Sequence, residues 1–204
     1  MMKNLFFLFL LFFSFTIYTL DDYQKEIIAY RQQLNADYMS PEKSPLDEKL
    51  REKFRQAGGH PFFEINKDYK VEAKFKKHID TFTVEIPTSS ERMAVFDKYG
   101  EATFTLNEKE YTVTVHQSHR SREMEEYKDW LFFMFTDLTN GEETYGGGRY
   151  IDLRIPEGET IIIDFNKAYH PYCAFTYGYS CPVPPRENFL DDKITAGIKL
   201  LHLK

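Results

Sequence analysis

The spacing of hydrophobic residues changes along the chain, and the first regular pattern is helical. Between residues 22 and 38 large apolar or aromatic side chains recur every three or four positions, which places them on one face of a helix. Asp21 and Asp22 are suited to the N-terminus of this helix. The predicted buried stripe consists of Tyr23, Ile27, Tyr30, Leu34 and Tyr38.

A shorter second helix is predicted to begin at Ser44 and Pro45. Serine is a favoured N-cap, and the fixed φ of proline suits the first helical turn. Asp47 follows three residues after this cap, as in a capping box. The helix must end by 58–59, because two consecutive glycines are unfavourable inside a helix and adopt positive φ beyond it. Its apolar stripe is formed by Leu46, Leu50 and Phe54.

From residue 69 onward the hydrophobic period falls to two, which is typical of half-buried β-strands. Residues 131–135 are apolar without interruption, so this strand is expected to be buried on both faces or to line a curled sheet. Two links, 107–109 and 156–159, have the length that closes hairpins, so neighbouring strands are expected to pair antiparallel. The alternating segments are 69–75, 82–86, 102–106, 111–115, 151–155, 161–165 and 194–200.

About eight strands with few helices after residue 60 predict a mainly β (α+β) fold. We expect a single antiparallel β-barrel or sandwich-like domain with two N-terminal helices packed on it. One globular domain would then cover 21–204, with a helical segment at 21–60 that is continuous with the β-rich part at 61–204. The pattern does not separate a barrel from a sandwich.

Residues 1–20 have the pattern of a secretion signal. The single base Lys3 precedes an uncharged, strongly apolar stretch at 5–20. This stretch is shorter than the roughly 20 apolar residues that a membrane-spanning helix needs. We therefore predict an exported protein, periplasmic or secreted. Because Thr16 and Thr19 are only fair substitutes for the small residues before a cleavage site, an uncleaved membrane anchor stays the alternative.

The charge of the chain argues against a nucleic-acid partner. The net charge is −6, or −7 without Lys3. Two short basic groups, 74–77 and 119–122, are flanked by acids and are better interpreted as solvated faces than as a phosphate-binding stripe. No cofactor is predicted, the only predicted membrane contact is an uncleaved leader, and the sequence leaves the oligomeric state open.

Polar residues are concentrated in three segments of the C-terminal half, at 137–152, 164–173 and 181–188. Their order of Gly, Arg, Asp, Asn, Cys and Pro resembles a family of uncharacterised bacterial proteins, domain of unknown function 1684. The resemblance reaches from 44–46 to 196–197. It implies a shared fold and a shared site, but no reaction, cofactor or partner. Where the pattern leads us to expect asparagine this chain has His170, which argues against a family-wide role for an imidazole.

We expect the three segments to meet around Arg149 at the rim of the sheet. Three glycines at 146–148 let the backbone turn sharply or let another group approach it closely. The Arg149 guanidinium then either pairs with a local acid or receives an acidic ligand. Asp164 and Asn166 can instead fix the following loop through Asx-type hydrogen bonds. The predicted ligand-binding set is Asp137, Glu143, Tyr145, Arg149, Asp164, Asn166, Tyr169 and Asn188.

Cys173 and Cys181 are the only cysteines of a chain predicted to leave the cytosol, so we predict a disulfide between them. The rival is a metal site made of these two thiols with His170 and Asp164, but the cysteine spacing is unlike that of familiar zinc motifs. We predict no metal. His116 and His119 are interpreted as solvated histidines at the start of a charged loop.

Three functions remain open. The favoured one is a binding module that holds a small polar or anionic ligand around Arg149. The second is an extracytoplasmic enzyme in which Asp164, Glu143 and His170 transfer protons. The third is a structural protein in which the polar cluster only holds the fold. None of the familiar catalytic motifs is present in the sequence.

Overall fold

The structure is a computed structural model that describes residues 20–204, so the predicted leader lies outside the described residues except for Leu20. Within the described part, no helix has the length and apolar character needed to cross a membrane. The helices are α1 (Asp22–Met39), α2 (Glu48–Gln56) and α3 (His119–Arg122). The strands are β1 (Lys70–Pro87), β2 (Met93–Leu106), β3 (Lys109–Ser118), β4 (Trp130–Asp137), β5 (Arg149–Arg154), β6 (Thr160–Asp164) and β7 (Phe189–Leu190).

The two N-terminal helices form where the sequence predicts them, but the second begins later. Asp21 caps α1 and forms a capping box with Gln24. The N-cap of α2 is Asp47, not Ser44. The Ser44 hydroxyl instead donates to the Tyr38 carbonyl oxygen at 2.6 Å, so it holds the link between the two helices. Its oxygen accepts from the Leu46 amide at 3.1 Å, before the helix begins, whereas Asp47 accepts from the Leu50 amide at 2.8 Å and so caps α2.

Six strands form one antiparallel row in the order β5-β4-β3-β2-β1-β6, and β7 pairs in parallel with β4. The two ends of the row, β5 and β6, approach each other. The sheet therefore curls into a nearly closed barrel, which confirms the predicted mainly β class and selects the barrel-like form. The N-terminal helices pack against the outside, and α1 contacts the turn that follows β6.

The pairing of two segments differs from the prediction. The predicted strands at 69–75 and 82–86 belong to the single long strand β1, which is interrupted by a register shift between Lys77 and Phe82. The link at 156–159 does not close a hairpin, because β5 pairs with β4 whereas β6 pairs with β1. It connects β5 to β6, the two strands at opposite ends of the row. Link length alone does not determine which strands pair.

The last predicted strand, 194–200, has no strand partner along its length. Ile194, Ala196 and Ile198 are buried, as the alternation predicts. Only Ile198 forms an isolated bridge, with Phe62. The apolar alternation therefore reports burial of one side of an extended segment, whereas a ladder of hydrogen bonds needs a neighbouring strand.

Strand β4 is buried on both faces, as its uninterrupted apolar sequence predicts. Leu131, Phe133 and Phe135 point into the barrel and join the main hydrophobic core. Phe132 and Met134 lie on the outer face, where they belong to a second hydrophobic cluster. The outer face of β4 is thus covered by other parts of the chain, and this cover creates the cleft described below.

The prediction that both His116 and His119 are solvated is wrong for His116, whereas His119 is partly exposed. His116 is completely buried on β3. The Nε2 atom of His119 lies 2.7 Å from a carboxylate oxygen of buried Asp97, and Arg122 pairs with the other oxygen. Burial alone would raise the pKa of Asp97, but its hydrogen bonds with His119 and Thr83 and the nearby charge of Arg122 lower it overall. His119 and Arg122 thus hold the start of the charged loop through Asp97 while remaining partly exposed.

Three histidines are held inside the protein in their neutral form. His60, His116 and His170 are 5 %, 0 % and 1 % exposed. Burial lowers the pKa of His60 to about 3 and that of His116 to about 4. The pKa of His170 lies well below its ordinary value for the same reason.

These histidines predict acid destabilisation. In the unfolded chain the imidazoles protonate near their ordinary pKa of ~6.5, whereas in the folded protein they stay neutral to lower pH. Their contribution is therefore complete above pH ~6.5 and is lost as the pH falls from there, by up to about 1.4 kcal/mol per pH unit for each histidine. Urea unfolding between about pH 7.5 and about pH 5 measures this slope. We expect His60→Phe to reduce it and exposed His202→Gln to leave it unchanged; equal slopes in both variants would contradict the assignment.

Candidate functional site

Arg149, the predicted centre of the site, lies inside the barrel and is completely buried. Its Nη2 donates to Asp137 Oδ2 at 2.7 Å and to the Ile194 carbonyl oxygen at 2.8 Å. Its Nη1 donates to the Ala196 carbonyl oxygen at 2.5 Å. The ring of Phe135 lies 5.1 Å from the guanidinium carbon. The guanidinium therefore forms an internal ion pair closed to solvent, and it offers no open face to a ligand.

The chain around this ion pair explains several of the predicted polar residues. Asp137 ends β4, and its Oδ1 accepts hydrogen bonds from the Thr139 amide and hydroxyl at 2.8 and 2.6 Å. Gly148 has a φ of +86°, and a Cβ there would lie 2.6 Å from the Phe135 carbonyl oxygen. Glycine is thus required at the entry to β5, since any side chain would push Arg149 away from Asp137.

Asn188 is a structural bridge rather than an open ligand group. Strands β3 and β4 have one paired position, His116 with Phe132, and then diverge. Asn188 is fully buried in the gap. Its Oδ1 accepts from the Thr114 amide at 2.8 Å, and its Nδ2 donates to the carbonyl oxygens of Thr114 and Met134 at 2.9 and 2.8 Å. The side-chain amide replaces the hydrogen bonds that the two strands would otherwise form with each other.

Asp164 and Asn166 fasten α1 to the end of β6. Asp164 Oδ1 accepts from the Asn166 amide at 3.0 Å and from the Tyr23 hydroxyl at 3.0 Å. Asn166 Nδ2 donates to the Asn66 carbonyl oxygen at 2.8 Å. This is the Asx-type arrangement that the sequence left as an alternative to ligand binding.

The three predicted proton-transfer residues do not share a site. His170 Nε2 accepts a hydrogen bond from the Tyr145 amide at 3.1 Å inside the protein. Glu143 lies at the surface, 3.9 Å from Lys193. Among residues 20–204 no hydrogen bond connects these groups with Asp164, so the structure gives no support to acid/base chemistry by this trio.

Cys173 and Cys181 form the predicted disulfide, with their Cα atoms 6.4 Å apart. Both thiols are thereby occupied, so they are not ligands of the rival metal site with His170. The part of the chain that the structure describes contains no group of three or more histidine, cysteine or acidic side chains placed to hold a metal ion.

A large open cleft of this half of the protein lies on the outer face of β4 and β5. It has a volume of about 820 Å³ and lies between this face, the C-terminal half of α1 and the segment 171–182. We call it the tyrosine cleft. Of the predicted ligand-binding set only Tyr169 lines it. Its aromatic walls include Tyr30, Trp130, Phe132, Tyr150, Tyr169 and Tyr172.

The only acid at the floor of the cleft is Asp152, directly opposite Phe132 on β4. The Tyr169 hydroxyl donates to Asp152 Oδ1 at 2.8 Å. The side chain of Asp152 is exposed within the cleft. Desolvation by the neighbouring cleft walls raises the pKa of Asp152, against the lowering effects of the Tyr169 hydrogen bond and of Arg154. No ion pair joins Asp152 to a cation of the described residues.

Asp152 lies in the predicted segment 137–152, but sequence reasoning did not single it out. The available signal was the alternation of β5. Ile151 and Leu153 belong to the inner core, so Asp152 and its neighbours Tyr150 and Arg154 must face outward. The sequence does not show that α1 and the segment 171–182 cover this outer face and form a cleft with it.

Comparisons with known proteins agree with the resemblance read from the sequence. The family model described as "Protein of unknown function (DUF1684)" matches residues 55–199. A solution NMR structure of an uncharacterised protein of Haloarcula marismortui is similar, with 30 % sequence identity and a TM-score of 0.66. That similarity covers 87 % of this chain and 94 % of the other. No curated protein matches the chain.

Breaking the buried ion pair should strongly destabilise the protein. Asp137→Asn or Arg149→Met leaves one polar partner buried without its counter-charge, so we expect the free energy of unfolding to fall by about 3–5 kcal/mol. Arg154→Met is the matched control, because this arginine of the same strand pairs with Asp129 at the surface and should cost about 1 kcal/mol or less. Urea unfolding measures all three, and similar losses for Arg149→Met and Arg154→Met would contradict the role of the pair.

The bridge between β3 and β4 gives a second stability prediction. Asn188→Asp keeps the size of the side chain but removes both donated hydrogen bonds and places a carboxyl group beside two carbonyl oxygens. We expect a loss of at least about 2 kcal/mol in the free energy of unfolding. Gln32→Glu makes the same amide-to-acid change on the exposed surface of α1 and should change it by less than about 0.5 kcal/mol. Equal urea midpoints for the two variants would argue against a bridging role.

Proposed function

The chain belongs to the DUF1684 family of proteins of unknown function, and from the geometry of the tyrosine cleft we propose that it is an exported protein that binds a small polar ligand there. The binding function favoured by the sequence is retained, but its place changes. Arg149 is closed to solvent, whereas Asp152 and Tyr169 line an open cleft. Clefts of this size with apolar walls and a few convergent polar groups are typical of small-molecule sites.

The observation that carries the proposal is the carboxylate of Asp152. Among the described residues its one hydrogen-bond donor is the Tyr169 hydroxyl, and Oδ2 is left for another partner. Asp152 forms no ion pair within residues 20–204, so its charge is available to a ligand. Groups with a raised pKa in a cleft are concentrated at functional sites, which supports a ligand-binding role.

The walls of the cleft are rigid, which favours binding. Tyr150 and Tyr169 are joined by two backbone hydrogen bonds of 2.9 and 3.0 Å. The disulfide closes the loop 173–181, which carries Tyr179 on the opposite wall. A site held in its binding conformation loses less entropy when a ligand binds.

The disulfide also supports a location outside the cytoplasm, in the periplasm or in the secreted fraction. Disulfides persist in oxidising compartments and are rare in the reducing cytosol. The expected secretion signal at 1–20 accords with this location. Fractionation of cells that produce the full-length protein, with detection of the disulfide under non-reducing conditions, tests the export.

Blocking the cleft tests the binding function. A library of small polar compounds is first screened for thermal stabilisation of the full-length protein, and the affinities of the ligands found are measured by calorimetry. Gln33 lies on α1 at the wall of the cleft, and Gln33→Trp should weaken binding by ~10-fold or more because the indole fills part of the site.

Gln32→Trp is the matched control, since Gln32 is exposed on the same helix but does not line the cleft. We expect this variant to bind like the unmodified protein. A library that yields no ligand, or a ligand whose affinity is the same in both variants, would refute binding in the tyrosine cleft.

A further inference from the structure

The charged side chains of the cleft leave it with an excess of negative charge. Four of them line it: Asp37, Lys43, Glu126 and Asp152. The Nζ atom of Lys43 lies 3.0 Å from Asp37 Oδ1, so the only lining base is already paired. Glu126 and Asp152 remain, and neither forms an ion pair within residues 20–204. An anionic ligand would therefore meet repulsion at the floor of the cleft.

The nearby base Arg154 compensates Asp152 only in part, since it lowers the pKa of that carboxyl without forming an ion pair with it. Arg154 lies two positions further along β5, outside the lining of the cleft. Its Nη1 donates to Asp129 at 2.6 Å, and its guanidinium lies 4.7 Å from the centre of the Trp130 ring. Arg154 is thus engaged with a second acid and with the Trp130 ring. The same contact shows that this wall already accommodates a cation.

The aromatic rings of the cleft stand at steep angles to one another. Phe132 and Tyr150 have ring centres 4.7 Å apart with an angle of 61° between their planes. Tyr150 and Tyr169 are 5.9 Å apart and nearly perpendicular, at 88°. The cleft is thus lined by several aromatic rings set at different angles, and one of them, Tyr169, is hydrogen-bonded to the carboxylate of Asp152. Ring faces carry negative potential, and cages of this kind bind ammonium groups.

From this combination we infer that the tyrosine cleft selects an organic cation, a primary or methylated ammonium compound with an apolar body, whose charge is bound by Asp152. The inference rests on the proposed function and deepens it. The ammonium group contacts the free oxygen of Asp152 and the adjacent ring faces. The apolar body of the ligand packs against Phe132 and the tyrosine rings.

Three probes with the same apolar body test the inference. Phenethylamine, phenethyl alcohol and hydrocinnamate differ in carrying an ammonium, a hydroxyl or a carboxylate group on the phenyl-alkyl body. The full-length protein contains a single tryptophan, Trp130, in the wall of the cleft, so its fluorescence reports occupancy directly. We expect the amine to bind ~10-fold or more tightly than the alcohol, and the carboxylate to bind more weakly than the alcohol.

Asp152→Asn should remove the preference, so that the amine and the alcohol bind alike. Retained binding of the alcohol shows that the variant is folded. Glu157→Gln is the matched control, because Glu157 is an exposed acid on the 156–159 link outside the cleft, and it should keep the preference of the unmodified protein.

The outcomes separate the inference from the proposed function. If the amine and the alcohol bind equally to the unmodified protein, or if hydrocinnamate binds most tightly, the selection of a cation is wrong while binding in the cleft stands. If the preference persists in Asp152→Asn, the assignment to this carboxylate is wrong. If none of the probes changes the Trp130 fluorescence and the compound library yields no ligand, the proposed function itself fails.

Discussion

The ion pair between Arg149 and Asp137 is the contact on which the C-terminal half of the fold depends. It joins the end of β4 to the start of β5, and two further N–H groups of the guanidinium donate to the carbonyl oxygens of Ile194 and Ala196. A buried ion pair contributes little by itself, because desolvation offsets most of its attraction. The ion pair matters because it ties three parts of the chain together. Neither charge can stay buried unless the end of β4, the start of β5 and the segment 194–196 are all in place.

The same logic applies to the other polar residues that make this half of the sequence unusual. Asn188 fills the gap where β3 and β4 diverge, and Asn166 joins the end of β6 to α1 and to residue 66. In a nearly closed barrel with a single paired position between β3 and β4, backbone groups need partners that the sheet does not provide. Side-chain amides and carboxylates supply these partners. A dense polar sequence can therefore serve the fold rather than a ligand.

Strand β5 connects this interior to the site. Arg149, Ile151 and Leu153 face the inside of the barrel, whereas Tyr150 and Asp152 face outward, where α1 and the disulfide-closed loop enclose the tyrosine cleft. Because the two faces belong to one short strand, the ion pair that fixes its inner face also fixes the position of the Asp152 carboxylate. The site is thus built on a rigid element, and its chemistry is set by an acid among aromatic rings.

The sequence by itself determined the first helix, most of the strands, the double burial of β4 and the disulfide, because each of these follows from local periodicity or from the number of cysteines. It also identified Arg149 and the three polar segments. Only the tertiary structure decided that β6 pairs with β1, that 194–200 has no strand partner and that Arg149 faces inward whereas Asp152 faces a cleft. The physical reason is that periodicity records which side of a segment is buried, while strand pairing and the surroundings of a charge depend on residues distant in the chain.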